Sequence, residues 1–139
     1  SREEVSQLKS EVERVFGSEL HALFNNAGVI CAQTFDGTSF EEYDKVIAVN
    51  QGGVFNCLKI FLPMLKAAAP RAVAVANTSS IAGLIGYPGN AAYGTSKWAV
   101  RGISEGFRSE CALMPDLAHI QVTSVHPGAV KTPIFKNNS

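Results

Sequence analysis

The sequence lacks an excess of charge of either sign. Its 139 residues include 12 Lys and Arg and 12 Asp and Glu, so the formal net charge at pH 7 is zero. Proteins that bind nucleic acid or an anionic membrane surface attract these partners through a strongly basic surface. The composition therefore predicts no nucleic-acid partner and no general electrostatic attraction to a membrane.

Long apolar runs are also lacking. Stretches such as 72–76 fall far short of the roughly 18 residues that a membrane-spanning helix needs, and no charged-then-apolar leader opens the chain. We therefore expect a soluble, cytoplasmic protein. With 46% hydrophobic and 17% charged residues, the composition is typical of a globular protein, and we expect one domain over residues 1–139.

The sequence has no pairing pattern of cysteines or histidines. Cys31, Cys57 and Cys111 are odd in number and widely spaced, and they form no C-x-x-C. The three histidines show neither H-x-x-x-H nor H-E-x-x-H spacing. We expect reduced cysteines, no disulfide framework and no metal site.

What the sequence does contain is an alternation of helical and strand-like segments. Ser39 to Glu42 form a capping box that predicts a helix start, and Gly17 and Pro115 predict helix ends. Long crossovers between strands imply parallel pairing. The prediction is an α/β fold, a partial doubly wound parallel sheet of about three strands with flanking helices. Helices are predicted over residues 3–16, 39–67 (with a possible kink at Pro63) and 91–113, and strands over 22–24, 71–77 and from His119 to Pro127-Gly128.

Polar or glycine-bearing segments follow each predicted strand. They are residues 25–28, 77–80 and 126–132. In parallel α/β sheets, ligands bind beyond the carboxyl ends of the strands, so these segments should converge on one edge. A binding site is predicted there.

Tyr93 and Lys97 stand four positions apart in the third predicted helix. This spacing places both side chains on one helix face, leaning toward the same sheet edge. An ammonium about 4 Å from the phenol, at an effective dielectric of about 20, would favour the phenolate by about 4 kcal/mol and lower the pKa of Tyr93 by at most about three. The pair is therefore a candidate proton-transfer device. The alternative is an ordinary surface Tyr/Lys pair.

Five motifs together resemble the short-chain dehydrogenase/reductase family. They are NNAG at 25–28, VN at 49–50, NTSS at 77–80, YGTSK at 93–97 and PGAVKT at 127–132, in the family's order. The spacings also match, with 13 residues from Ser80 to Tyr93 and 24 from Asn26 to Asn50. The resemblance covers nearly the whole chain and implies a Rossmann-like fold.

The resemblance implies an NAD(P)-dependent oxidoreductase that moves hydride between nicotinamide and a small-molecule carbonyl or secondary alcohol. It gives Tyr93 the role of acid/base, and it makes Lys97 the residue that lowers the pKa of the phenol and binds the nicotinamide ribose. Ser80 would hold the substrate oxygen, and Asn50 would anchor a water in the proton relay. The implied cofactor-binding residues, in addition to Tyr93 and Lys97, are Asn26, Ala27 and Gly28 on the adenosine side and Pro127, Gly128, Val130 and Thr132 around the nicotinamide.

Several alternatives stay open at this point. Ser79 rather than Ser80 could face the site, and Asn50 could be a satisfied polar residue within a helix. A serine hydrolase is disfavoured because Ser79 and Ser80 lack a G-x-S-x-G frame. A non-catalytic binding or regulatory protein of the same fold is the main functional alternative. The family's usual homodimer or homotetramer could form through a shallow stripe at Gly94, Trp98, Gly102 and Gly106.

One family feature is missing. The sequence contains no G-x-G-x-x-G or T-G-x-x-x-G-x-G loop for the cofactor phosphates, and it starts at Ser1. We therefore expect this chain to be an internal part of a longer family member and to be inactive, or nearly so, by itself. The choice between NAD and NADP and the identity of the substrate cannot be read from it.

Overall fold

A parallel sheet forms the centre of the protein. The computed structural model describes residues 1–131 and residue 134. The strands are β1 (Ala22–Asn25), β2 (Val73–Thr78) and β3 (Ile120–Val125), in the order β1-β2-β3. β2 pairs in parallel with both neighbours. The predicted α/β class with a parallel sheet of about three strands is confirmed.

Helices connect and flank these strands. The first helix, α1 (Arg2–Phe16), is capped by the Ser1 side chain and ends at Gly17, whose φ of 86° favours glycine. The second, α2 (Phe40–Ile47), begins at the predicted capping box, where the Ser39 hydroxyl accepts from the Glu42 N–H at 3.2 Å. The remaining helices are α3 (Gly53–Ala67) and α4 (Ala91–Leu113).

The single helix predicted over residues 39–67 contains a π turn. Ala48–Gly52 separates α2 from α3 while the backbone stays helical, and α3 continues through Pro63. Gly52 and Gly53 weaken the α-helical preference locally, and such turns are frequent at functional sites. The turn contains Asn50, which is fully buried.

The start of β2 also differs from the prediction. The strand begins at Val73 rather than at residue 71, because the Arg71 N–H donates to the Ala68 carbonyl in a turn. Buried residues of β2, and of the first half of β3, then alternate with less buried ones. This alternation places one face of the sheet against the helices.

The core lies between the sheet and helices α3 and α4. Leu65, Val73, Val75 and Val100 are at most 1% exposed. On the opposite face of the sheet, Phe24 is 70% exposed. The remaining members of the core cluster are Val54, Leu58, Ala68, Cys111, Leu117, Ile120 and Val122.

The helical stretch Phe40–Ala67 passes a length and composition test for a membrane span, with a mean hydropathy of 1.2 over its best window. Sequence reasoning that counted only unbroken apolar runs missed it. Val54, Leu58 and Leu65 of this stretch belong to the core, while 28% of the tested window is buried. One helix that passes this test is weak evidence for a membrane span. The cytoplasmic location stays a prediction.

Candidate active site

A cleft of about 630 Å³ lies beyond the carboxyl ends of the three strands. The segments that follow the strands all reach it, so their predicted convergence is confirmed. Asn50 is not among the residues that line the cleft, and Thr132 falls outside the described residues. The predicted site residues that line the cleft are Asn26, Ala27, Gly28, Ser80, Tyr93, Lys97, Pro127, Gly128 and Val130.

Lys97 is a buried cation in this cleft. Its side chain is 3% exposed, and its Nζ donates to the Thr78 carbonyl at 2.8 Å. Burial lowers the pKa of Lys97 from the usual 10.5 to about 8, because the ammonium loses hydration that one carbonyl does not replace. The side chain can therefore gain or lose a proton close to neutral pH.

Tyr93 lies beside Lys97, with the Lys97 Nζ 5.5 Å from the centre of the phenol ring. Burial raises the pKa of Tyr93, a hydrogen bond with Ser80 opposes this effect, and the nearby phenol of Tyr87 adds to it. The prediction that Lys97 lowers the pKa of Tyr93 is therefore wrong, because the net shift is upward. Only 9% of Tyr93 is exposed, and loss of water destabilises the phenolate more than its neighbours stabilise it.

The two adjacent serines have different surroundings. The Ser79 hydroxyl donates to the Lys97 carbonyl at 2.8 Å, which ties the end of β2 to α4. The Ser80 hydroxyl accepts from the Ala82 N–H at 3.2 Å, and Ser80 lines the same cleft as Tyr93. Both serines line the cleft, and the Ser79 hydroxyl is already bonded to the Lys97 carbonyl, which favours Ser80 as the candidate for contact with a substrate.

Asn50 holds the loop after β1 in place. Its Oδ1 accepts from the Val29 N–H at 2.8 Å, and its Nδ2 donates to the Val29 carbonyl and to the Ser96 hydroxyl, both at 2.9 Å. A Cβ on Gly28 would lie 3.1 Å from Asn50 Oδ1 and 3.4 Å from Lys97 Nζ. The loop therefore approaches both side chains closely, and glycine permits this approach.

Sequence reasoning missed a buried amide network beneath the cleft. Asn25 donates through Nδ2 to Asn77 Oδ1 at 2.8 Å, and Asn77 Nδ2 donates to the Ser104 hydroxyl at 3.0 Å. The network links β1, β2 and α4. Two sequence features could have indicated this network: the asparagines at the ends of two paired strands and the serine in the interior of a helix.

Two further residues near the cleft lie in segments that the sequence pointed to but were not assigned a role. His126 Nδ1 lies 3.1 Å from the Ser80 carbonyl, and Tyr87 lines the cleft from the loop before α4. His126 belongs to the segment predicted at the sheet edge, so its position after β3 was a signal. No pattern distinguished Tyr87 from other loop residues.

The burial of Lys97 predicts a pH dependence of stability. The pKa of about 8 in the folded state lies below the usual 10.5, so folding disfavours the charged form. Below pH 8 the folded protein must bury the ammonium, and this penalty disappears as the pH rises from about 8 to about 10.5. Relative to Lys97→Met, the wild type should gain about 2 to 3 kcal/mol of unfolding free energy across that window.

Urea unfolding of both proteins at several pH values measures this gain. Lys59→Met, which changes an exposed lysine on α3, is the matched control. A difference between wild type and Lys97→Met that stays constant over the window would contradict the prediction.

Comparison with known proteins places this geometry in a family. A family model described as short chain dehydrogenase matches residues 1–139. Cyclopentanol dehydrogenase of Comamonas sp. (strain NCIMB 9872) is 43% identical over 118 residues, which are 83% of this chain and 44% of that protein. The chain spans about half the length of the curated relatives it matches.

Solved structures with a similar fold include members of the same family. A short chain dehydrogenase/reductase from Burkholderia phymatum in complex with NAD superposes with a TM-score of 0.91 at 28% identity, covering 98% of this chain and 47% of that chain. An alcohol dehydrogenase from the archaeon Thermococcus sibiricus, complexed with 5-hydroxy-NADP, gives a TM-score of 0.85 at 28% identity, covering 96% of this chain and 52% of that chain. Because the family model matches the sequence along its whole length, the chain belongs to the short chain dehydrogenase family.

Proposed function

We propose that the full-length protein is an NAD(P)-dependent oxidoreductase that interconverts a small-molecule ketone or aldehyde and the corresponding alcohol. The observation that carries the proposal is the meeting of the Ser80 hydroxyl, the Tyr93 phenol and the Lys97 amine in one cleft. Membership of the family and the alcohol dehydrogenases among its relatives support the reaction type.

The proposed roles follow from the contacts. Ser80 and Tyr93 would donate hydrogen bonds to the substrate oxygen and stabilise the negative charge that develops there. Because the pKa of Tyr93 is raised, the phenol is protonated at neutral pH, so it can give a proton to that oxygen during carbonyl reduction. Lys97, with a pKa of about 8, would replenish this proton, and Asn50 would help to anchor the water of the relay.

The cleft fits a nicotinamide cofactor, which would supply or accept the hydride. Gly28 lines the cleft and allows the loop after β1 to lie close to Lys97, whose Nζ would be 3.4 Å from a Cβ at this position. Of the three N–H groups of Lys97, one is donated to Thr78, which leaves donors for a ribose hydroxyl. The residues proposed to hold the cofactor are Asn26, Ala27, Gly28, Tyr93, Lys97, Pro127, Gly128, Val130 and Thr132.

The preference between the two cofactors is left open, since the solved neighbours contain NAD in one case and 5-hydroxy-NADP in another. We also propose a homodimer or homotetramer. Gly102 and Gly106 have open space where a Cβ would lie, and Trp98 is 47% exposed, so this side of α4 can accept a close neighbour.

The direct test is turnover by the full-length protein. Purified protein is mixed with cyclohexanone and either NADH or NADPH, and loss of the reduced nicotinamide absorbance is followed. Turnover with at least one cofactor is expected. Cofactor binding is seen as a change in NAD(P)H fluorescence. If the protein binds the cofactor but turns over no ketone in a panel, the binding or regulatory alternative is favoured. The 139-residue chain alone, which has no glycine-rich phosphate loop, should be inactive in this assay.

A further inference from the structure

Tyr87 stands between two cavities. It lines the cleft that contains Ser80 and Tyr93, and it also lines a second cavity of about 610 Å³ over the start of α4. Phe35 and Trp98 are among the other walls of this second cavity. The phenol of Tyr87 therefore forms a wall that the two spaces share.

Tyr87 also lines the cleft that contains the reacting position in the proposed site. Tyr87 and Tyr93 are both walls of this cleft, and the phenol of Tyr87 adds to the raised pKa of Tyr93. A substrate whose oxygen lies between Ser80 and Tyr93 would therefore direct one of its substituents toward Tyr87. The size of that substituent would be limited by the phenol ring.

The chemistry of the walls identifies the substituent. Among the described residues that line the second cavity, none carries a charge. Ile30, Ile81 and Val130 are apolar walls of the cleft that Tyr87 also lines. A charged group placed in the second cavity would lose hydration without gaining a counter-ion, which is costly. A hydrocarbon group would gain free energy by leaving water.

We propose that Tyr87 determines substrate size: its ring closes the cleft against the second apolar cavity, so the protein favours ketones and secondary alcohols with a compact hydrocarbon substituent on this side. Removal of the ring joins the two cavities and admits a bulky aromatic substituent. This inference rests on the proposed function and specifies the substrate class of the same site.

The experiment compares cyclohexanone with 4-phenylcyclohexanone, which differ by one phenyl group. In Tyr87→Ala, the ratio of kcat/KM for the phenyl ketone to that for cyclohexanone should rise at least about tenfold over wild type. Tyr87→Phe keeps the ring and should keep the wild-type ratio. Tyr43→Ala removes a 40% exposed tyrosine of α2 that lines neither cavity, and it should also leave the ratio unchanged.

A charged substituent provides the specificity control. With 4-oxocyclohexanecarboxylate, Tyr87→Ala should show no such gain, because the joined space offers no additional cation. An unchanged ratio for the phenyl ketone in a Tyr87→Ala protein with a wild-type thermal midpoint would overturn the proposal. An equal gain for the carboxylate would overturn the apolar assignment.

A binding measurement separates this inference from the proposed function. Trp98 lines the second cavity, so entry of 4-phenylcyclohexanone should change its emission, and the part of the signal lost in a Trp98→Phe background is assigned to Trp98. Binding should be about tenfold tighter in Tyr87→Ala than in wild type. If wild type turns over no ketone, the proposed function fails, and this affinity ratio still decides the role of Tyr87. Equal affinities would overturn it.

Discussion

Replacing Tyr93 by phenylalanine is expected to lower kcat of the full-length protein by about two to four orders of magnitude, the usual contribution of a positioned acid or base. The phenol is the proposed proton donor, and it lies with Ser80 and Lys97 in the cleft. Phenylalanine keeps the ring, so the packing of this 9% exposed side chain is preserved. Steady-state kinetics with the preferred cofactor measure the loss.

Tyr43→Phe is the matched control, because it removes a hydroxyl from an exposed tyrosine outside the cleft. It should retain wild-type kcat. The thermal midpoint of Tyr93→Phe should stay close to that of wild type, which would separate a chemical defect from unfolding. A kcat within a factor of three of wild type would show that Tyr93 is not the acid/base.

The fold class and the meeting of the segments that follow the strands could be predicted from the sequence because the signals are local or topological. The Ser39 to Glu42 capping box and Gly17 act on their nearest neighbours, and both mark helix ends in the structure. Segments that follow parallel strands must meet at one edge whatever their length. The convergence of residues 25–28, 77–80 and 126–128 followed from that rule.

Helical periodicity did not predict the π turn, and the contacts of its buried residue Asn50 are distant in the sequence. Asn50 binds Val29 and Ser96, which are 21 and 46 positions away. Its side chain satisfies its hydrogen bonds only when the fold brings those groups together. Helical periodicity over residues 39–67 carries no trace of this, so the sequence indicated an uninterrupted helix.

The predicted direction of the pKa shift of Tyr93 was wrong for a related reason. The four-residue spacing to Lys97 reveals a nearby charge but says nothing of burial. In the structure Lys97 donates to Thr78, and the loss of water around Tyr93 is the largest influence on its pKa. The spacing of a Tyr/Lys pair therefore does not fix the direction in which the pKa of the tyrosine shifts once both side chains are buried.

Gly83→Ala should lower the free energy of unfolding by about 3 kcal/mol or more, at the upper end of the usual cost of overpacking. Gly83 lies in the turn Ile81–Gly83 directly after Ser80. A Cβ there would overlap the Ser79 hydroxyl and lie 2.7 Å from the Lys97 carbonyl oxygen. The overlap includes main-chain atoms of α4, which cannot move aside as a flexible side chain could.

The same clash would break the bond from the Ser79 hydroxyl to the Lys97 carbonyl, so it would also shift Lys97 relative to Tyr93. Urea unfolding measures the stability, and Gly86→Ala is the control. Gly86 lies in the same loop, and no atom lies within 4 Å of its added Cβ. Gly86→Ala should stay within about 1 kcal/mol of wild type. Equal unfolding midpoints for Gly83→Ala and wild type would mean that α4 can move away from the turn without loss of stability. The packing of Lys97 against the end of β2 would then not depend on Gly83.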